Sequence, residues 1–228
     1  MTAKKVLIVL TSHSKLGNTG EKTGFWLEEL AAPYYAFKDA GFDIELASPK
    51  GGRPPMDPKS DTEESQTEDT RRFKNDSEAQ NRLMNTKTLA SVNTDNYDTV
   101  FYPGGHGPLW DLVNDKESIR ILEDFNSKNK VIGAVCHAPA ALLNAKGTDG
   151  NSLIAGKKVT GFTNEEEDEV GLKNDVPFLL ENRMKELGGN YQKKENWAKF
   201  SVKDGNLITG QNPASSKLVA EDIINTFS

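Results

Sequence analysis

Short apolar runs alternate with longer amphipathic stretches along most of this chain. The runs are rich in β-branched residues, which is typical of strands that are buried on both faces of a sheet. These strands are predicted at residues 5–12, 42–49, 97–105, 131–135 and 157–163. The amphipathic stretches predict helices at 22–41, 111–129, 138–145, 175–189 and 215–227. Residues 200–210 resemble a hairpin with Asp204 and Gly205 at its turn.

This alternation indicates an α/β protein with a mostly parallel sheet and helices on both faces. The length of 228 residues fits one domain over 1–228. Residues 49–92 interrupt the pattern, because a connection in such folds usually takes about 2–6 residues plus a helix. The segment is first rich in Gly and Pro and then polar. We expect a lid-like insertion, a binding loop or a partner surface, and the alternative is a solvated excursion with one or two helices.

Composition and charge argue against several classes of partner and site. Hydrophobic residues make up 36% of the chain, charged residues make up 27%, and the net charge is −6 with no basic run. Nucleic acids and anionic membranes are therefore poor partners. The first apolar run is too short for a signal peptide, and no window is long enough to span a membrane. A lone cysteine excludes an intramolecular disulfide and a cysteine-based zinc site. We expect a cytoplasmic protein.

That cysteine, Cys136, directly follows the apolar run 131–135. Buried thiols often only fill space, so a structural role is one interpretation. A nucleophile is the other, because ligands bind outside the carboxyl ends of parallel strands and a sharp strand-to-helix turn can present a nucleophile. The small neighbours Ala134 and Ala138 suit such a turn. The turn predicts a positive φ at Cys136, and the following helix is expected to lower the thiol pKa.

Other predicted strand ends supply polar groups. The run PGGHGPLWD has consecutive glycines, whose N–H groups can face an oxyanion or simply form a turn. The run GFTNEEEDEVG has five acidic residues in a row, most of which suit a helix N terminus. Glu28 and Glu29 are adjacent in the first predicted helix, so both cannot face solvent squarely. One of them is expected to be buried and to need a partner or a chemical task.

Five motifs together resemble one family. They are AVCHAPA, PGGHG, KTGFWLEELAAPYYAF, GFTNEEE and TGQNPAS, and they extend over nearly the whole chain. The chain resembles the ThiJ/PfpI superfamily, and within it the branch of stress-inducible chaperones and glutathione-independent glyoxalases (glyoxalase III). This resemblance implies a flavodoxin-like sandwich, similar to that of class I glutamine amidotransferases. Alanines stand where the amidotransferase turn has glycines, which argues against glutamine hydrolysis.

The resemblance also implies catalytic roles. Cys136 matches the nucleophile, and His137 matches the histidine next to it. Glu29 matches a buried glutamate of the family. Glu167 matches the acid of the catalytic triad, although Glu166 and Asp168 on either side of it leave that choice open.

A binding loop is implied as well. Gly105 and His106 match the loop beside the nucleophile, where backbone N–H groups, together with that of His137, would hold an oxyanion. The resemblance implies no metal and no cofactor. The implied partners are a small 2-oxoaldehyde, a second copy of the chain in a homodimer, and unfolded client proteins.

The implied activity converts a 2-oxoaldehyde such as methylglyoxal into a 2-hydroxy acid, here D-lactate, through a hemithioacetal on Cys136. A chaperone or holdase, a cysteine peptidase or amidase, and an oxidation sensor are the alternatives. For the glyoxalase, we predict that the Glu29 carboxyl lies within hydrogen-bonding distance of the Cys136 sulfur. Burial and the nearby thiolate should keep this carboxyl protonated near neutral pH.

Overall fold

A seven-stranded sheet forms the centre of the molecule, and its strands coincide with predicted ones except for the edge strand Lys87–Thr88. The computed structural model describes residues 3–227. Its strands are Lys5–Val9 (β1), Asp43–Ser48 (β2), Lys87–Thr88 (β3), Thr99–Tyr102 (β4), Val131–Val135 (β5), Lys158–Val159 (β6), Asn190–Tyr191 (β7), Ser201–Asp204 (β8) and Leu207–Gly210 (β9). The sheet order is β3-β2-β1-β4-β5-β9-β8, and every neighbouring pair in this described sheet is parallel except β8 and β9. The strands β6 and β7 form a separate parallel pair.

Helices cover both faces of this sheet. They are Leu27–Asp39 (α1), Glu68–Asn75 (α2), Ser77–Met84 (α3), Lys116–Ser127 (α4), Asn164–Glu169 (α5), Leu180–Glu186 (α6) and Ser216–Ile224 (α7). The chain moves from β1 to β2 in one direction across the sheet and from β4 to β5 in the other. Since such crossovers are right-handed, α1 and α4 lie on opposite faces. The predicted fold class is therefore confirmed.

Several predicted elements are shorter in the structure, among them the predicted helix 175–189, which is α6 over Leu180–Glu186. The first helix begins at Leu27 instead of residue 22, because Phe25 forms a bridge with Met56 and its N–H donates to the Pro55 carbonyl at 2.9 Å. The predicted strand 157–163 shrinks to β6. The hairpin turn consists of Gly205 and Asn206, since Asp204 already pairs with Leu207.

The segment 49–92 is packed against the domain. Phe73 of α2 is fully buried, and its ring lies 5.4 Å from that of Tyr34 on α1. The Arg72 guanidinium lies 3.8 Å from the centre of the Tyr35 ring and forms two hydrogen bonds with Asp39. At its end, β3 extends the sheet beside β2. The segment thus contributes to the core, and its role as a lid stays a prediction.

The carboxyl ends of β1, β4 and β5 meet at one edge of the sheet. Asp111 ties the end of β1 to the loop that follows β4, because it accepts hydrogen bonds from Thr11 Oγ1 and from the Ser12 N–H, each at 2.7 Å. This edge holds the predicted functional residues. Within residues 3–227, every helix falls short of the length and apolar character that a membrane span requires.

Candidate active site

Cys136 occupies a sharp turn immediately after β5. Its φ is 61°, so the predicted positive value is found. Its N–H donates to the Gly210 carbonyl at 3.0 Å, and its carbonyl accepts from the Phe162 N–H at 2.9 Å. These two backbone contacts hold a conformation that non-glycine residues rarely adopt. The residue is only 2% exposed, so the thiol is buried.

Two glycines after β4 let the backbone approach this thiol. A Cβ atom on Gly104 would lie 2.7 Å from Glu29 Oε2 and 3.0 Å from Cys136 Cβ. Gly105 has a φ of 89°, and a Cβ there would lie 2.3 Å from the Gly24 carbonyl oxygen. Any side chain at these positions would displace the site, which gives the GG motif a steric cause.

Glu29 projects from the first turn of α1 and is fully buried. Burial raises its pKa to about 8, although hydrogen bonds from the Gly104 N–H, the Cys136 side chain and the Gly105 N–H oppose the shift. The Gly104 N–H donates to Oε2 at 2.6 Å. Within residues 3–227, Oε1 has no hydrogen-bond partner of normal geometry. The interaction with the Cys136 side chain puts this carboxyl beside the thiol, and its raised pKa favours the protonated form at neutral pH. The hydrogen-bonding distance between the carboxyl and the sulfur stays a prediction.

Glu28 turns away from the site. It is half-buried and accepts a hydrogen bond from Thr67 Oγ1 at the start of α2. Burial raises its pKa as well, and the bond from Thr67 opposes that shift. The inward carboxylate of this adjacent pair is thus Glu29.

The thiol pKa departs from the expectation. Burial raises the pKa of Cys136 well above its usual range, and an ionised Glu29 would raise it further. The expected lowering of the thiol pKa is wrong, because burial and Glu29 outweigh any effect of the short 3-10 helix over Ala138–Leu142 that follows Cys136. The resting group is a thiol, so attack on a substrate needs a base beside it.

His137 supplies a base next to this thiol. Its Nδ1 lies 3.4 Å from Cys136 Sγ, and its Nε2 lies 2.6 Å from Glu167 Oε2. Burial lowers the pKa of His137, and the nearby His106 lowers it further, so the ring is neutral at neutral pH. We assign the proton to Nε2, since a carboxylate only accepts. Nδ1 is then free to take the thiol proton.

Glu167 joins two imidazoles. Its second oxygen, Oε1, lies 2.7 Å from His106 Nε2, and the two histidine rings lie 4.0 Å apart. Burial favours the neutral carboxyl, but the interactions with His137 and His106 outweigh it and lower the pKa of Glu167. The contact of the His106 imidazole was not predicted from the sequence, where only the backbone N–H groups of the PGGHG loop point to a function.

Glu166 and Asp168, which flank Glu167 in the sequence, have different partners from it. Glu166 is fully buried, and its Oε1 accepts hydrogen bonds from Gln211 Nε2 and Asn212 Nδ2 at 3.0 and 2.8 Å. Asp168 is exposed and lies 3.5 Å from Lys173 Nζ. Among the three acids, Glu167 is the one hydrogen-bonded to His137.

Glu167 and the two histidines that it contacts have a spacing that could hold a metal ion. The ligating atoms of His106, His137 and Glu167 all lie within 4.8 Å of one another. Their contacts of 2.6 and 2.7 Å are, however, direct hydrogen bonds between nitrogen and oxygen. An ion would have to separate them. A site that works without metal stays a prediction.

Comparisons with known proteins agree with this architecture. Residues 22–226 match the model of the DJ-1/PfpI family. Glyoxalase 3 of Candida albicans is 35% identical over 231 residues, which cover 98% of each chain. A glutathione-independent glyoxalase of Saccharomyces cerevisiae is 35% identical over 230 residues, which cover 96% of each chain.

Several solved structures are also similar to this chain. The Rapid Encystment Protein of Francisella tularensis has a TM-score of 0.94 and 40% identity, with 99% of each chain covered. Glyoxalase III from Candida albicans has a TM-score of 0.91 and 35% identity, with 99% of this chain and 98% of that chain covered. Because the family match and these alignments extend over nearly the whole sequence, the chain belongs to the DJ-1/PfpI family.

Proposed function

We propose that this protein is a glutathione-independent glyoxalase that converts 2-oxoaldehydes into 2-hydroxy acids, with methylglyoxal giving D-lactate. The observation that carries the proposal is the position of the Cys136 thiol between two proton-transfer groups, the Glu29 carboxyl and the His137 imidazole. The names of the relatives in Candida albicans and Saccharomyces cerevisiae support the same activity.

Carbon–sulfur bond formation is the first step. The thiol proton passes to His137 Nδ1 while Cys136 Sγ bonds to the aldehyde carbon. The aldehyde oxygen takes the proton of Glu29, and the product is a neutral hemithioacetal. Glu167 stabilises the imidazolium that forms, because its carboxylate accepts the Nε2 hydrogen bond. The hydrogen bond between the Gly105 N–H and the thiol supports a role for this N–H in stabilising charge on the substrate oxygen.

An internal hydrogen shift follows. The Glu29 carboxylate removes the proton from the former aldehyde carbon, and the ketone oxygen takes a proton from His137, which gives an enediol. Glu29 then returns its proton to the former ketone carbon while His137 removes one from the other hydroxyl, which gives a thioester. One carbon is oxidised and its neighbour is reduced, so the two changes balance within the substrate. Protonation from the fixed position of Glu29 on one face accounts for a single enantiomer.

Hydrolysis of the thioester completes the cycle. The Glu29 carboxylate takes a proton from water as the water oxygen bonds to the thioester carbon. The sulfur leaves and takes its proton back from His137. The 2-hydroxy acid is released, and Cys136, His137 and Glu29 return to their starting protonation states.

Replacement of the nucleophile tests this proposal. Cys136→Ser should abolish D-lactate formation from methylglyoxal in the absence of glutathione, because the hydroxyl is a much weaker nucleophile than the thiol beside a neutral imidazole. Chiral chromatography of the lactate measures the product, and circular dichroism checks that the variant is folded. D-lactate formation by the folded variant, or racemic lactate from the wild-type protein, would contradict the proposal.

The enclosure of the site argues against a cysteine peptidase. A peptidase needs a groove that admits an extended chain, whereas Cys136 is 2% exposed and Glu29 and His137 are buried. A small aldehyde suits such a site better. The homodimer, the unfolded client proteins and the cytoplasmic location stay predictions for this protein.

A further inference from the structure

Trp197 combines a strained backbone with an exposed aromatic ring. Its φ is 64°, in the left-handed region that large side chains rarely adopt. The residue is 43% exposed, whereas most aromatic residues of the described chain are buried or half-buried. Strain of this kind persists only where surrounding contacts fix it, and it is concentrated at functional sites. The conformation of Trp197 therefore needs an explanation.

Glu166 fixes the backbone at this position. The Trp197 N–H donates to Glu166 Oε1 at 2.9 Å. The same carboxylate also accepts from Gln211, Asn212 and the Thr163 N–H, so it is anchored to the end of β9 and to the start of α5. A fully buried carboxylate with four N–H donors thus ties the Trp197 backbone to the end of β9 and the start of α5.

Glu169 fixes the indole ring. The indole Nε1 donates to Glu169 Oε2, and the neighbouring Asn196 side chain donates to Glu169 Oε1 at 2.9 Å. Trp197 is held at its backbone and at its ring while much of the ring faces solvent. A side chain that is already ordered in this way contacts a ligand at low entropic cost.

Ring contacts connect Trp197 through Phe162 to His137, the residue next to the thiol. The Trp197 ring lies 5.7 Å from the Phe162 ring at an interplanar angle of 64°. Phe162 is buried, and its ring lies 4.3 Å from that of His137. The Phe162 N–H also donates to the Cys136 carbonyl. Trp197 is thus the solvent-exposed end of a series of ring contacts that begins at His137.

We infer that Trp197 is a specificity-determining residue, which contacts the substituent on the ketone carbon of 2-oxoaldehydes with an aryl group. This inference rests on the proposed function and names a substrate class for it. The methyl group of methylglyoxal ends one carbon beyond the ketone. An aryl ring extends several ångströms further and can pack against Phe162 and the edge or face of the indole.

Two substrates and four proteins test the inference. The substrates are methylglyoxal and phenylglyoxal, assayed without glutathione for their 2-hydroxy acids. Trp197→Gly removes the ring at a position where glycine readily adopts the positive φ, so the backbone keeps its conformation. Trp197→Phe retains an aromatic ring. Met84→Ala is the matched control, because it removes another exposed apolar side chain, at the end of α3.

The expected result is a change in substrate preference. In Trp197→Gly, the ratio of kcat/KM for phenylglyoxal to that for methylglyoxal should fall about tenfold, the effect of losing one aromatic contact and the apolar area that it covers. Most of the loss should lie in KM. Trp197→Phe should restore part of the ratio, and Met84→Ala should leave it unchanged.

Other outcomes separate the two proposals. An equal loss for both substrates would assign Trp197 a structural role only, and an unchanged ratio in Trp197→Gly would show that the ring does not contact the substituent. Either result overturns the inference and leaves the glyoxalase proposal standing. A wild-type protein that converts neither substrate would overturn both.

Discussion

Two buried glutamates flank the Cys136–His137 pair, and their pKa values shift in opposite directions. Burial dominates at Glu29 and raises its pKa to about 8, since its partners are backbone N–H groups and a thiol. Burial also favours a higher pKa at Glu167, but the interactions with His137 and His106 outweigh this effect and lower the pKa. The surroundings of each carboxylate, and not its residue type, decide its protonation state.

This difference suits two chemical tasks. A carboxyl that is neutral at pH 7 can donate a proton to a substrate oxygen and later remove one from carbon. A carboxylate that stays charged can orient an imidazole and stabilise its protonated form. Substitutions that remove the charge or the proton from either glutamate test whether the two carboxylates have these different roles.

Glu29→Gln should have the largest effect. Glutamine keeps the shape and an acceptor for the Gly104 N–H, but it cannot carry a proton between the substrate oxygens and carbon. We expect kcat for methylglyoxal to fall about a thousandfold, within the range of general acid–base catalysis. Iodoacetamide should still alkylate Cys136, which separates a loss of proton transfer from a loss of the nucleophile. Turnover near the wild-type level would show that Glu29 is not the proton carrier.

Glu167→Gln should have a smaller effect. The amide can accept from one imidazole, but it has no charge to stabilise protonated His137, and its NH2 group faces the other ring. We expect kcat/KM to fall about a hundredfold. Alkylation of Cys136 should slow as well, unlike in Glu29→Gln, because His137 activates the thiol in both reactions. An alkylation rate equal to that of the wild-type protein would contradict this role for Glu167.

The neighbouring carboxylates provide matched controls with the smallest effects. Glu28→Gln and Asp168→Asn remove a charge one residue away from each functional glutamate. Glu28 contacts Thr67 and Asp168 lies near Lys173, so neither touches the thiol or the imidazoles. Their activities should stay within about twofold of wild type, because neither side chain contacts a reacting group. A large loss in either variant would mean that the wrong member of the pair has been assigned.

Local pattern was sufficient for most strands of the central sheet and for the turn at Cys136, but it did not predict β3. Apolar runs identify β1, β4 and β5, and small residues around the cysteine predict its positive φ. The segment 49–92 was harder, because Phe73 is an isolated apolar residue in a polar stretch and its burial depends on Tyr34 and Tyr35 of a distant helix. The short β6 also depends on tertiary contacts, since the Thr160 N–H donates to a Thr209 side chain instead of extending a strand.

The features of the site also divide into those that the local sequence predicts and those that depend on tertiary contacts. The sharp turn at Cys136 and the PGGHG loop follow from spacing along the chain, and the resemblance to a family singles out Glu29 and Glu167. The His106 imidazole contact requires two loops to meet at one carboxylate, which no local pattern encodes. The thiol pKa likewise depends on burial by the whole site, so the expected effect of the following helix could not decide it.

Infrared difference spectroscopy of the carboxyl groups tests the central claim most directly. Wild-type protein at pH 7 should show the C=O stretch of a neutral buried carboxyl, because the pKa of Glu29 is raised to about 8 and its proton is lost only as the pH rises through that value. The band should be absent from Glu29→Gln and present in Glu167→Gln. A wild-type spectrum without this band at pH 7, or a band that survives in Glu29→Gln, would contradict the account.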